Sequence, residues 1–199
     1  MARVVLLLEE HSMKVLLDGL LPRFFPSLSF LCIPHEGKQD LEKSIPRKLR
    51  AWREPGIRFI VVRDNDGGDC LQLKERLVNI CQQAGRPDTM VRIACQELES
   101  WYFGDPVALA EAFDNEHLKK IGDKSRFRDP DGMVCPSRSL AELVPDFQKT
   151  SGARKMAELL NRQGNRSRSY NIFMNVLEKM AGGKEARETS SQVGHLKKS

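Results

Sequence analysis

Ile57-Arg58-Phe59-Ile60-Val61-Val62-Arg63-Asp64-Asn65-Asp66 is an apolar run that stops at acids, and its reading decides the fold. A run of this kind suits a strand covered on both faces, as parallel strands are, although periodicity alone also allows a buried helix fragment. Two other runs end the same way. Val4 to Leu8 stops at Glu9-Glu10, and Met90 to Cys95 stops shortly before Glu97 and Glu99. A fourth candidate, Leu28 to Ile33, meets Pro34. In a parallel α/β sheet the strand C-termini share one edge, so carboxylates far apart in sequence meet there. With no cation among them they repel and are driven to protonate, which leads to the expectation of a bound hard cation, Mg²⁺ or Mn²⁺.

Amphipathic segments between the runs decide for strands. Met13, Leu16, Leu17, Leu20 and Leu21 form one helical stripe that Ser12 can cap and that Gly19 and Pro22 are expected to end. Leu41, Ile45, Leu49 and Trp52 read as a second helix, with Pro46 predicting a start near Ser44 or a kink. Cys70, Leu73, Leu77, Ile80, Cys81 and Ala84 form a third, closed by Gly85, and Asp105-Pro106 begins a fourth through Leu109, Ala110 and Phe113. Strand and helix in alternation predict an α/β fold of Rossmann-like kind, a mostly parallel sheet flanked by helices, with a C-terminal helical extension.

A chain of 199 residues with 40% hydrophobic content can bury one sound core. Nothing in it reads as a membrane span, and Val4 to Leu8 is too short for a signal-peptide core, so a cytoplasmic protein is expected. The five cysteines lack CxxC spacing and read as reduced, mostly buried residues; the four histidines are scattered. Charge is divided unevenly. Residues 1–114 carry 15 basic against 17 acidic side chains, a net of −2, and residues 115–199 carry 17 against 10, a net of +7. A basic extension beside an acidic core suits a polyanionic substrate such as DNA or RNA, and equally an ordinary solvated surface.

The expected organisation is a core over 1–114, a basic loop and helical extension over 115–181, and a disordered tail over 182–199. Residues 115–136 read as a loop covering or flanking the site. Helices are predicted near Ser139 to Val144, Gly152 to Asn161 and Ser169 to Ala181, the last with Tyr170, Phe173, Leu177 and Met180 packed on the core.

The acids sit within Glu9-Glu10-His11-Ser12, Glu36-Gly37-Lys38-Gln39-Asp40-Leu41, Arg63-Asp64-Asn65-Asp66 with Asp69-Cys70, and Glu97-Leu98-Glu99-Ser100-Trp101-Tyr102. Gln148-Lys149-Thr150-Ser151-Gly152-Ala153-Arg154 and Asn165-Arg166-Ser167 complete an ordered set. This set resembles the Toprim-like domain of unknown function 4276, related to RloB and to the overcoming-lysogenization-defect nucleases. The resemblance implies that Glu9 is a metal ligand or general acid/base and that Asp64 and Asp66 are metal ligands. It further implies an acid from the next strand end, Glu99 ahead of Glu97, and a partner ATPase of the structural-maintenance type in antiviral defence. A hard cation polarises a phosphodiester and lowers the pKa of water, and a pair of them about 3.5–4 Å apart would also neutralise the leaving oxygen.

Most Toprim domains carry Gly after the first glutamate, whereas this chain has Glu10, expected to point into solvent. Glu10, Asp40 and Asp69 also suit helix starts, so Asp69 is both a candidate cap and a candidate ligand. Glu97 and Glu99 face the same side in a strand but opposite sides if a helix begins, and the spacing of Leu98 and Trp101 favours a helix. His11 reads as exposed, and Trp101, Tyr102 and Phe103 as packing. Lys149, Arg154 and Lys155 with Arg166 and Arg168 are candidates for a phosphate track, and Lys38 for a phosphate contact or a plain surface lysine. Two tyrosines without a gate domain argue against a topoisomerase, the size argues against a primase, and no GxxxxGK[ST] loop is present. A receiver-like phosphoacceptor would need a lysine where Gln96-Glu97-Leu98-Glu99 stands. The expected function is a Mg²⁺-dependent nuclease; the alternative is a non-catalytic binding or regulatory subunit.

Overall fold

Residues 3–182 are described by a computed structural model. The four apolar runs are strands: β1 (Val4–Leu8), β2 (Phe30–Pro34), β3 (Arg58–Asp64) and β4 (Met90–Ala94). They form one sheet in the order β2-β1-β3-β4, and all three pairings are parallel. Leu8 lies opposite Pro34 and Val62, and Asp64 lies opposite Ala94. Glu9, Asp64 and the residues after Ala94 therefore reach the same edge. Helices α1 (His11–Phe24), α2 (Lys38–Ala51) and α3 (Cys70–Gln83) make the crossovers. After β4 come α4 (Glu99–Phe103), α5 (Pro106–Ala112), α6 (Pro136–Leu143), α7 (Lys149–Leu159) and α8 (Arg168–Gly182).

Side chains alternate across a strand, so β1 feeds two cores. Val5 and Leu7, with Phe59 and Val61 of β3, pack on Leu41, Ile45 and Leu49 of α2 and Leu77 and Cys81 of α3. Val4, Leu6 and Leu8, with Ile60 and Val62, pack on α1 and on residues from α4 through α8. Each fully buried Leu or Phe contributes roughly 2 kcal/mol, so covering both faces accounts for the continuous apolar runs. The fold is Rossmann-like α/β. Residues 115–182 share the second core with the sheet, and Tyr170, Phe173, Leu177 and Met180 are all buried in it.

Several element boundaries differ from expectation. Helix α1 starts at His11, so Ser12 lies inside it and its hydroxyl donates to Glu10 instead of capping. It continues past Gly19 and Pro22 because Leu16, Leu17, Leu20 and Leu21 are buried, and Pro22 forfeits a bond only in the final turns. Helix α2 begins at Lys38 and carries Pro46 in its interior, held by the buried Leu41, Ile45 and Leu49. The segment read as a loop contains 3-10 turns at Glu116–Asp123, Ser125–Phe127 and Pro130–Gly132, anchored by buried Leu118, Ile121, Phe127 and Met133. Among the described residues no helix is long and apolar enough to cross a membrane. Apart from Gly182, the tail expected over 182–199 lies outside the described residues.

Candidate functional site

Glu9 follows β1 directly. Its N–H donates to Val62 O at 3.2 Å, its carbonyl accepts from Gly37 N at 2.9 Å, and its carboxylate Oε2 accepts from Asp64 N at 3.0 Å. Gly37 has φ +93, a conformation that favours glycine. Asp64 ends β3 and is buried. The next residue, Asn65, is buried too: its Oδ1 accepts from Gln96 N, and its Nδ2 donates to Gly68 O at 2.6 Å. With Asp66 N donating to Gln96 O at 3.0 Å, the turns after β3 and β4 are tied together. Glu99 opens α4 and is 0% exposed. Tyr102 follows at i+3, also buried.

Buried polar atoms of both kinds lack hydrogen-bond partners at this edge, the donor Arg63 Nε and the Ser100 hydroxyl among them. Both oxygens of Glu99, Oδ1 of Asp64 and the Tyr102 hydroxyl are buried without a hydrogen-bond partner. Burial lifts the pKa of Glu9 above the carboxylate range. It lifts Asp64 well above that range, helped by the charges of Glu10, Glu99 and Glu9. Burial pushes Glu99 up to about 7, and Lys149 holds it down from rising further. An edge that holds protons this firmly favours any cation that can replace them. Hard oxygen donors without partners fit Mg²⁺ or Mn²⁺. Even so, no group of three or more His, Cys, Asp or Glu side chains among the described residues stands ready-assembled around a metal position.

Lys149 changes the electrostatic argument made from sequence. At the first position of α7, its Nζ donates to Glu10 Oε2 at 3.2 Å. Burial would lower its pKa, but Glu99, Glu10 and Asp64 together raise it. A protein cation thus already stands among the acids. Glu10 is corrected with it: the side chain joins the site and does not turn away. Its backbone, at φ −139 and ψ 164, is ordinary extended chain, which explains why no glycine is required there. The spacing of α1 and α7 sets this contact, since a Cβ on Gly19 would lie 2.8 Å from Ala157 Cβ.

The remaining candidates are distributed. Asp66 has φ +48, and its carboxylate is 42% exposed and accepts from Lys38 at 3.3 Å. Asp69 caps α3, its Oδ1 accepting from Leu71 N and Gln72 N. Glu97 Oε2 accepts from Ser137 N at 2.6 Å near the start of α6, whereas Glu99 heads a helix of its own. A cleft of about 520 Å³ opens between Asp66, Gly67, Gln96 and Glu97 and the segment Val134 to Pro136, so the 115–136 segment flanks the edge. His11 is exposed.

The candidates for the phosphate track have different surroundings. Arg154 is exposed on α7, Lys155 lies over the Phe113 ring, and Arg168 lines a cavity beside β4. Arg166 donates to the carbonyls of Phe103 and Gly122 at 3.1 and 3.3 Å. Its neighbours in the sequence motif are structural as well. Asn165 Nδ2 donates to Trp101 O at 2.9 Å, and Ser167 Oγ donates to Asp131 at 2.6 Å.

Sequence reasoning missed Arg63 and Tyr102 as site residues. The Arg63 side chain is nearly buried; it pairs with Glu42 and brings Nε within 3.7 Å of Glu9 Oε2. The available signal was a charge at the end of an otherwise apolar strand. Tyr102 carried none, because a buried tyrosine reads as packing.

A Rossmann-like α/β domain with buried acids at the C-terminal edge of its sheet is the class that fold and site define. Residues 8–178 match the family model for a domain of unknown function, DUF4276, and the chain belongs to that family. Comparisons with curated proteins and with solved structures give no match.

Proposed function

We propose that this chain is a Mg²⁺- or Mn²⁺-dependent phosphodiesterase of Toprim type that cleaves nucleic acid. The observation that carries the reading is that Glu9, Asp64 and Glu99, from three distant parts of the chain, are buried at one edge of the sheet with raised pKa values, Asp64 Oδ1 and both Glu99 oxygens having no partner and Asp64 feeling the charges of the other two. Glu9, Asp64 and Glu99 would hold the cation, with Asp66 at the open rim. When bound, it supplies a Lewis acid to a phosphodiester oxygen. The chain's own groups do the rest. The Asp64 amide fixes the Glu9 carboxylate. Lys149 offers an ammonium to an entering phosphate, offsetting the acids that would repel it. The ATPase partner and the role in defence rest on the resemblance alone, and the cytoplasmic setting on the sequence reading.

A second reading is favoured by one observation. Lys149 already supplies a positive charge to the acids, as a non-catalytic binding or regulatory subunit would need if it kept the fold without a metal. Incubating plasmid, single-stranded DNA and RNA with the purified chain and Mg²⁺ or Mn²⁺, with and without an ATPase partner, separates the two. Cleavage by the wild type that is lost on chelation and in Asp64→Asn is the expected result. No cleavage under any condition, or equal cleavage by the variant, overturns the nuclease reading.

A further inference from the structure

The turns after β3 and β4 approach each other through polar contacts and also through two thiols. Cys70 is the first residue of α3, directly after the capping Asp69, and Cys95 directly follows β4. Their Sγ atoms stand 3.5 Å apart. A disulfide needs about 2.05 Å, so the pair must close by roughly 1.5 Å. Both sulfurs line a cavity of about 280 Å³ beside β4, shared with Lys74, Arg92, Arg168 and Ile172, which a small oxidant can enter. The other three cysteines differ: Cys32 and Cys81 are buried and Cys135 is exposed.

We propose that Cys70 and Cys95 form a dithiol modification site that hydrogen peroxide oxidises to an intramolecular disulfide. One sulfur attacks a peroxide oxygen, the O–O bond breaks, and water leaves as a sulfenic acid forms. The second thiol attacks that sulfur, the S–S bond forms and the sulfenic oxygen departs as a second water. Two thiols thereby lose two electrons and two protons, and hydrogen peroxide becomes two waters. The bond staples the turn carrying Asp64, Asp66 and Asp69 to the turn carrying Glu97 and Glu99. It does not depend on whether those acids hold a metal. A dithiol reductant reverses it, so in a reducing compartment the bond is transient.

The test uses the full chain with Cys135→Ser, which removes the exposed thiol and leaves four of the five cysteines. After hydrogen peroxide, denaturation and alkylation, mass spectrometry should count two alkylated cysteines instead of four. Peptide mapping should link Cys70 to Cys95, and dithiothreitol should restore all four. Closing this loop should raise Tm by on the order of 5–10 °C. Adding Cys70→Ser or Cys95→Ser should abolish both the link and the rise. Four thiols remaining, a link between other cysteines, oxygen adducts without a link, or an unchanged Tm would each overturn the proposal.

Discussion

Lys149 Nζ stands 3.2 Å from Glu10 Oε2, across 139 positions of sequence, and this contact brings a cation to the acidic edge of the sheet. The charge acts beyond its direct partner, restraining Glu99 while Glu99, Glu10 and Asp64 raise Lys149.

Replacing Lys149 by Met should therefore make the acids harder to ionise. Because the lysine side chain is 43% exposed, solvent screens much of the interaction, and the loss at pH 8 should be about 1 kcal/mol. Urea denaturation of both proteins measures it. Equal stability would mean that the contact contributes nothing to the folded state.

Glu99 sets a pH dependence with a definite sign. Its pKa is raised from 4.5 unfolded to about 7 folded, so the folded state holds the proton more tightly. The stability this contributes is complete below pH 4.5 and is lost as pH rises through about 7, a loss on the order of 3 kcal/mol. Glu99→Gln should flatten that decline when metal-free protein is melted between pH 4.5 and 8. A decline of the same size in the variant would assign it to other groups, Asp64 first.

Glu97 and Glu99 should separate cleanly in function. Glu97 accepts from Ser137 N, so Glu97→Gln should lose roughly 0.5–1 kcal/mol of stability and keep most metal-dependent cleavage. Glu99→Gln should abolish cleavage. Equal loss in both would place both carboxylates in the site.

The close approach of α1 and α7 should be intolerant of bulk. Gly19→Val must push against Ala157, at an expected cost of 1–3 kcal/mol, and in moving α7 should displace Lys149. A melt reports the first effect, and loss of the Lys149→Met difference in the Gly19→Val background reports the second. A Tm equal to that of the wild type would show that the helices separate freely.

The sheet was legible because its strands are buried on both faces and so spell continuous apolar runs, each stopped by acids or proline at the same edge. The step to a helix at Glu99 was legible from Leu98 and Trp101 for the same reason of periodicity. The partner of Glu10 was not. Lys149 lies in a basic stretch that looks like any solvated surface, and the packing of α7 on α1, close at Gly19 and Ala157, brings it to the acids. Nor was the structural use of Arg166 legible, since a basic residue in a motif reads as a phosphate ligand and gives no sign that its guanidinium donates to the Phe103 and Gly122 carbonyls. Pro22 did not stop its helix and Pro46 did not delay the start of its own, because buried leucines and isoleucine on the same helices outweigh one missing backbone bond.

Anomalous diffraction from crystals soaked in Mn²⁺ tests the metal site most directly. The expected result is a peak bounded by the carboxylates of Glu9, Asp64 and Glu99, with Lys149 drawn away from Glu10 as the added charge replaces its own. A peak elsewhere, or none at this edge with Lys149 still on Glu10, would contradict it.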